Sequence, residues 1–484
     1  MSLGLKYESQ KLAYPYFAMS GLVFFLQIAL GLLAAAQFVW PQVMIDLVPF
    51  NISKAVHVNC LVVWLLMGFM GITYYMVPLE TEREIYSKKL ALGQFWVLSI
   101  SAVALVVGYI FDGITGHQFN VLFLGTGIFN EGREYINAPR WADIVIVGVI
   151  LVYLFNVAMT YFKGKKTDTM LMLIIGQTCL AVAYLPGMFF NESISADLFW
   201  RWWLIHYWVE GSWELIASAV LCFLLMTLLK APRRAMERWM WLEVALVMLT
   251  GLPGIGHHFF WIGTPAVWLW VGSIFSALEP IPLLIMVWDA FRHSAEYSRN
   301  ITNRPALYWT VGHALFNFVG AGLWGVIHTL APVNAWTHGT QMTVAHGHLA
   351  FFGAFAMLII GCWYLALPNL QGVKDELAWD QSRGMKAFWW MNISMCSMTL
   401  VLTGAALVQV YLERVIGMDF VAVKMQYNMV FWVLRLATGV TFLWGCVYLW
   451  LDLWKLAPAK PAITHAGGHE PGIAGAGAPA QPTS

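Results

Sequence analysis

The chain has 484 residues, of which 60% are hydrophobic and only 11% charged. Soluble domains carry charge on about a quarter of their residues, so this composition excludes one and places the chain in lipid. A net charge of +1 supplies no bulk attraction for nucleic acid and by itself says nothing of other partners.

Twelve apolar segments follow one another, at roughly 15–38, 54–78, 90–112, 141–162, 169–190, 202–228, 237–262, 266–290, 306–330, 342–367, 387–411 and 428–453. Each is about 20–25 residues long, enough to cross a hydrocarbon core of ~30 Å as a helix. The fold class is therefore all-α, a polytopic bundle of twelve transmembrane helices over residues 1–455. The first segment is too long for a cleavable signal and lacks a small-residue cleavage site, so it is read as helix one. With the N-terminus inside, twenty Lys and Arg residues fall on inner segments. Six fall outside (Lys54, Arg133, Arg140, Arg201, Arg414 and Lys424), and Arg435 lies within the last span. That asymmetry predicts both termini on the cytoplasmic side. The six cysteines sit within spans without a Cys-x-x-Cys pattern, which excludes covalently attached c-type haem and suits small packing residues.

Span two carries His57 close to its outer end. The long outer segment 113–140, with His117, Glu131, Arg133 and Glu134, is too polar for lipid and is expected to cap the outer face. Span six holds His206, Glu210 and Glu214, each four residues from the last and so on one helical stripe. Span seven holds the tandem His257-His258 four residues after Pro253, which removes a backbone hydrogen bond and bends the helix just below the pair. Glu279 stands mid-span in span eight, without a cationic partner in sight. Glu243, Asp143 and Asp289 sit at span ends within reach of headgroups and water, where a structural role is expected.

Span ten carries His346-Gly347-His348. A step of two residues turns a helical side chain by about 200°, so the two imidazoles face opposite sides and one helix can serve two separate haems. Spacing alone leaves open whether His57 pairs with His346 or His348. From 456 the chain is rich in Ala, Gly and Pro, with His465 and His469, and is read as a disordered cytoplasmic tail.

Hydrocarbon expels ionisable side chains unless they face the bundle interior and do work there. Six histidines at the outer ends of spans two, six, seven and ten share one depth, and imidazole is the commonest protein ligand for iron and copper. His206, His257 and His258 with Glu210 make a complete set of ligands, and the anionic oxygen shifts its preference from copper towards non-haem iron. Carboxyls such as Glu214 and Glu279, buried without cations, suit proton donors beside a reduction site.

The stretches Val56-His57-Val58-Asn59, His206-Tyr-Trp-Val-Glu-Gly-Ser-Trp-Glu214, Gly256-His-His-Phe-Phe-Trp-Ile-Gly263, Phe275-Ser-Ala-Leu-Glu279-Pro280 and His338-Gly-Thr-Gln-Met-Thr-Val-Ala-His-Gly-His348 resemble the catalytic subunit of haem-copper oxidases. Within that superfamily they resemble the cytochrome c-dependent nitric oxide reductases, through all twelve spans. Most oxygen-reducing relatives carry a tyrosine four residues after the first histidine of span six; here that position is Glu210. The resemblance implies low-spin haem b on His57 and His348, high-spin haem b3 on His346, and non-haem iron on His206, Glu210, His257 and His258. It also implies proton delivery by Glu214 and Glu279, and a structural calcium on Glu134 with Arg133 beside it.

The expected reaction is 2 NO + 2 e⁻ + 2 H⁺ → N2O + H2O. Electrons would come from an external cytochrome c or small copper protein through a membrane-anchored cytochrome c subunit. The expected location is a bacterial inner membrane, with the metal sites towards the periplasm and protons taken from that side without pumping. An oxygen reductase of the same superfamily and a secondary transporter are the alternatives. A quinol-fed relative would usually carry a long N-terminal extension, whereas span one here begins near residue 15.

Overall fold

The computed structural model describes residues 5–133, 135–277, 281–294, 301–373 and 379–454. Glu134, Glu279 and the tail 456–484 with its two histidines lie outside the described residues.

Helix dominates because apolar stretches in lipid must satisfy every backbone polar group internally. Eleven helices among the described residues are long and apolar enough to cross a bilayer. They are α1 (Glu8–Val39), α2 (Phe50–Thr81), α3 (Lys88–Ile114), α4 (Arg140–Lys163), α5 (Asp168–Met188), α6 (Ile194–Leu228), α7 (Arg233–Phe259), α10 (Arg304–Thr329), α12 (Gln341–Leu370), α13 (Ser382–Val415) and α14 (Met429–Leu453). Predicted span eight consists of two shorter helices, α8 (Val267–Phe275) and α9 (Ile281–His293), on either side of residues 278–280. The short helix α11 (Ala331–Thr337) joins α10 to α12. The chain is a multi-pass membrane protein built as a helical bundle.

Local chemistry sets the helix starts. The side chains of Ser87, Thr167, Asn303 and Thr340 accept hydrogen bonds from the amides of Leu90, Met170, Ala306 and Met342, satisfying donors that a helix leaves free at its first turn. On α3 the exposed residues Trp96, Ile100, Val103, Val107, Phe111 and Ile114 recur at helical spacing and form a lipid-facing stripe. Leu98, Ala102, Leu105 and Tyr109 face inward. Of the cysteines, Cys396 points outward, while the other five are buried or half-buried, and all six are free.

The helices are not equivalent in depth. Buried residues make up 89% of the apolar window of α12, 83% of that of α6 and 67% of that of α2, against 22% in α14. The three helices that carry His346 and His348, His206 and Glu210, and His57 therefore form the centre of the bundle.

The segment between α3 and α4 packs against the ends of α5 and α6, with a small hairpin of β1 (Leu122–Phe123) paired antiparallel to β2 (Thr126–Gly127). A buried ionic network ties it down. Arg133 donates to Asp197 at 2.8 Å and to the Gly187 carbonyl at 2.9 Å, Arg140 reaches Glu131 at 3.2 Å, and Arg201 also bonds Asp197. Glu131 is pushed up by burial against the pull of Arg140 and Arg133. Asp143 takes a bond from Tyr184 at 2.7 Å, and Asp289 takes one from the Trp239 indole at 2.8 Å, both structural as anticipated. Glu243 departs from expectation. Because α6 packs over the first half of α7, Glu243 is buried, 5% exposed, with its carboxyl beside Ser218.

Candidate metal centres

Four of these histidines, His57, His348, His346 and His257, are held by a neighbour that fixes the tautomer. His57 on α2 donates through Nδ1 to the Gln27 carbonyl of α1 at 2.7 Å, and His348 on α12 donates through Nδ1 to the Val344 carbonyl at 2.8 Å. A carbonyl can only accept, so in both rings Nε2 keeps its lone pair. The two ring centres lie 6.3 Å apart with planes 26° apart. Two metal–imidazole bonds of ~2.0–2.1 Å, plus ~1.1 Å from each nitrogen to its ring centre, add to ~6.3 Å, so this pair suits one iron held between them. Gly31 makes room for His57: a Cβ there would stand 2.7 Å from its Cε1 and Nδ1.

His346, two residues from His348, turns the other way. Its Nδ1 donates to the Gly320 carbonyl of α10 at 3.1 Å, again leaving Nε2 with a lone pair. Gly320 lies in a π-helical turn, Asn317–Leu323, in which the i→i−4 ladder is interrupted and carbonyls are released. Gly325 leaves space at the ring, since a Cβ there would stand 3.0 Å from His346 Cε1.

The remaining histidines gather between α6 and α7. His206, His257 and His258 form a group whose donor atoms all lie within 4.8 Å of one another. His206 stands in the middle, with Nδ1 3.0 Å from His258 Nε2 and Nε2 3.1 Å from Glu210 Oε2. Glu210 thus joins the group through His206. The stretch Trp203–Ser212 is π-helical, and Pro253 lies between a π turn, Val247–Gly251, and a 3-10 stretch, Ile255–Phe259, that carries both histidines. Departures from α geometry cluster at sites that must aim side chains. Ser276 on the far side of the α7–α8 turn donates its hydroxyl to the Gly272 carbonyl at 2.7 Å, so it accepts from His257 Nδ1 at 2.8 Å and leaves His257 Nε2 free to ligate. Three imidazoles and one carboxylate at this spacing form a donor set suited to a borderline-hard divalent metal.

Glu214 sits half-buried one turn inward of Glu210, and Ser218 donates to its carbonyl at 2.7 Å. Several neighbours of these groups have no sequence-level reading. Trp202 stacks on His258 with ring centres 3.6 Å apart and planes 13° apart, fixing that ring's plane. Arg435, the one cation inside the last span, has its guanidinium 5.1 Å from the Phe38 ring centre and close enough to His57 and His348 for its charge to act on both. Among the described residues it makes no ion pair. A cation placed there calls for an anion beside the His57–His348 pair, and its solitary position in an apolar segment was the available signal. His313, also in α10, donates to the Gly353 carbonyl at 2.9 Å and serves as an interhelical tie.

The profile of the family described as "Cytochrome C and Quinol oxidase polypeptide I" matches residues 11–441. The chain belongs to this family. Among family relatives, it is 42% identical to a nitric oxide reductase subunit of Stutzerimonas stutzeri over 448 residues, covering 92% of this chain and 94% of the relative. It is 21% identical to a bacteroid cytochrome c oxidase subunit 1 homolog of Bradyrhizobium diazoefficiens, over 88% of this chain and 78% of the relative. It is 22% identical to cytochrome c oxidase subunit 1 of Corynebacterium efficiens, over 79% and 69%. Within the family, the chain is thus twice as similar to the nitric oxide reductase subunit as to these two oxidases.

Proposed function

We propose that this chain is the catalytic subunit of a nitric oxide reductase, an oxidoreductase that couples two NO molecules as 2 NO + 2 e⁻ + 2 H⁺ → N2O + H2O. The observation that carries the reading is Glu210 beside His206, 3.1 Å apart, at the edge of the three-histidine group. An anionic oxygen among imidazoles selects iron over copper. The 42% identity to a nitric oxide reductase subunit supports the same branch.

In this reading His57 and His348 hold low-spin haem b and His346 holds haem b3. His206, Glu210, His257 and His258 hold non-haem iron. When bound, these groups supply the electrons and the metal positions at which two small apolar substrates meet. The protein's own part is orientation and proton handling. Carbonyls of Gln27, Val344 and Gly320 and the Ser276 hydroxyl fix the tautomers of His57, His348, His346 and His257, which keeps Nε2 of these four a ligand and not a donor. Arg435 neutralises an anionic edge near the His57–His348 pair. Glu214 and Glu279 hold the protons consumed in forming water, and Glu134 binds calcium.

Electrons enter from a membrane-anchored cytochrome c subunit fed by an external cytochrome c or small copper protein. The enzyme sits in a bacterial inner membrane with both termini cytoplasmic, and takes protons from the periplasmic side. The deciding experiment is iron and copper content of the purified complex read together with NO consumption. Iron beyond that of two b-type haems, without copper, and NO-dependent turnover are expected. Copper with rapid O2 reduction would assign an oxygen reductase, and absence of b-type haem bands would end the reading altogether.

A further inference from the structure

His328 belongs to none of the groups above, yet it sits against one of them. It lies near the end of α10, is 6% exposed, and its ring centre is 6.2 Å from that of His346. Both of its nitrogens are bonded to hydroxyls: Nδ1 to Thr337 Oγ1 at 2.9 Å and Nε2 to Thr343 Oγ1 at 3.0 Å. The direction of these bonds is fixed by proton counting. Thr337 spends its hydroxyl proton on the Val333 carbonyl at 3.1 Å, so it accepts from His328 Nδ1–H. His328 Nε2 then carries the lone pair and accepts from the Thr343 hydroxyl.

Thr343 precedes His346 by three residues on α12, so it stands one turn away on the same face. The same end of α10 that presents His328 also supplies the Gly320 carbonyl for His346 Nδ1 and the clearance at Gly325. A further tie holds the turn after α10: Asn334 donates to the His328 carbonyl at 3.0 Å and accepts from the Trp261 indole at 2.5 Å. His328 is therefore the side-chain rivet between α10, α11 and the turn of α12 that carries His346.

We infer that His328 is a positioning residue for His346, setting through Thr343 the orientation in which that imidazole meets its haem, and so the redox poise of that haem alone. The inference rests on the proposed ligation of haem b3 by His346. A direct partner of a metal-bound histidine, here the Gly320 carbonyl on His346 Nδ1, is worth about 10–100-fold in affinity or activity when removed, and His328 and Thr343, one contact further out, are expected at the lower end of that range. An effect of that order on a one-electron equilibrium, tenfold, is a potential shift of ~59 mV.

The test is spectroelectrochemical titration of the intact complex, in which the low-spin haem acts as an internal reference. His328→Leu and Thr343→Val are expected to shift the high-spin haem midpoint by about tenfold in its equilibrium, ~59 mV, and to alter its ferric high-spin bands. The low-spin haem midpoint should stay in place. His328→Gln, which keeps one donor and one acceptor, and Thr343→Ser, which keeps the hydroxyl, should return the values towards wild type. If His328→Leu fails to assemble, Thr343→Val decides the matter, because it removes a single hydroxyl. Unchanged high-spin midpoints in Thr343→Val with both haems present, or equal shifts of both haems, overturn the inference. The ligation itself is tested apart: His346→Ala that retains both haems removes the underlying reading, whatever Thr343→Val does.

Discussion

His57 and His348, from helices nearly three hundred residues apart in sequence, present their rings to each other at 6.3 Å with both Nδ1 protons given to backbone carbonyls. Apolar packing alone does not call for two imidazoles with free Nε2 lone pairs at that distance, whereas the proposed haem b iron would use both. His348→Ala should therefore remove one of two haems while the haem on His346 remains. Pyridine haemochrome content should fall by about half, and the low-spin ferric signal should vanish while high-spin bands persist. Loss of the high-spin bands with the low-spin signal retained would reverse the assignment of the two faces of α12.

Glu210 joins the histidine group through His206, its Oε2 3.1 Å from Nε2. Replacing it with alanine removes the anionic ligand without touching a haem ligand. Glu210→Ala is expected to drop non-haem iron occupancy at least 10-fold, the scale seen for even indirect partners of a metal, and NO reduction with it. Metal analysis on protein with full haem content provides the check. Full iron and full turnover in that variant would remove Glu210 from the site.

The spans were legible because lipid leaves a chain few choices: each apolar stretch of sufficient length becomes a helix. The candidate ligands stood out for the complementary reason, since His57, His206, His257, His258, His346 and His348 are costly in hydrocarbon unless used, and His206, His257 and His258 do come together. Rotation along a helix alone separates His346 from His348. What sequence could not carry was the backbone. The carbonyls of Gln27 and Gly320 orient two ring nitrogens, and a carbonyl has no side-chain signature. The π turn that holds His206 and Glu210 likewise has no residue-type signature, whereas the division of span eight into α8 and α9 falls at Pro280 and Pro282, a signal the sequence did carry. His328 was passed over because the threonines that bond it are nine and fifteen residues away, beyond any helical spacing.

Arg435 carries a charge beside the His57–His348 pair without an ion pair among the described residues. A unit charge at about 10 Å, with an effective dielectric of ~20, acts with roughly 1.7 kcal/mol, or ~70 mV on a one-electron couple. Arg435→Leu removes it and should lower the low-spin haem midpoint by tens of millivolts, since a cation favours the more negative, reduced state. The high-spin haem should move less. Redox titration of the variant with both haems in place checks the sign, and an upward shift would contradict it.

Asp197 accepts from Arg133 and from Arg201, and all three side chains are largely buried at the outer end of the bundle. Removing one partner from a buried ion pair leaves a charge that lipid and protein cannot solvate, at a cost of about 3–5 kcal/mol. Asp197→Ala should therefore lower the thermal unfolding midpoint of the detergent-solubilised complex and loosen the outer segment 113–140. Exposed pairs behave differently: Glu8→Gln, which breaks the surface contact with Lys88, should leave the same midpoint unchanged. Equal effects of the two substitutions would mean that the outer network does not hold the loop.

At the end of the bundle where α1 begins, Glu84 accepts from the backbone amides of Glu8 and Ser9, each at 2.8 Å, and so pins the start of α1 to the α2–α3 turn. Burial alone would raise this carboxyl, but the Ser9 and Glu8 donors and the Lys88 charge overcome it and hold the group below its ordinary value of 4.5. A carboxyl depressed in the folded state contributes stability that is present above its unfolded value and is lost as pH falls through the folded one. The attachment should accordingly be intact near neutrality and weaken below about pH 4.5, where protonation removes the acceptor charge. Hydrogen exchange at the amides of Glu8 and Ser9, followed against pH, should show protection falling on the acid side. Glu84→Gln should reproduce the low-protection state at neutral pH. Protection that rises on acidification would show that burial, and not the donors, governs this carboxyl.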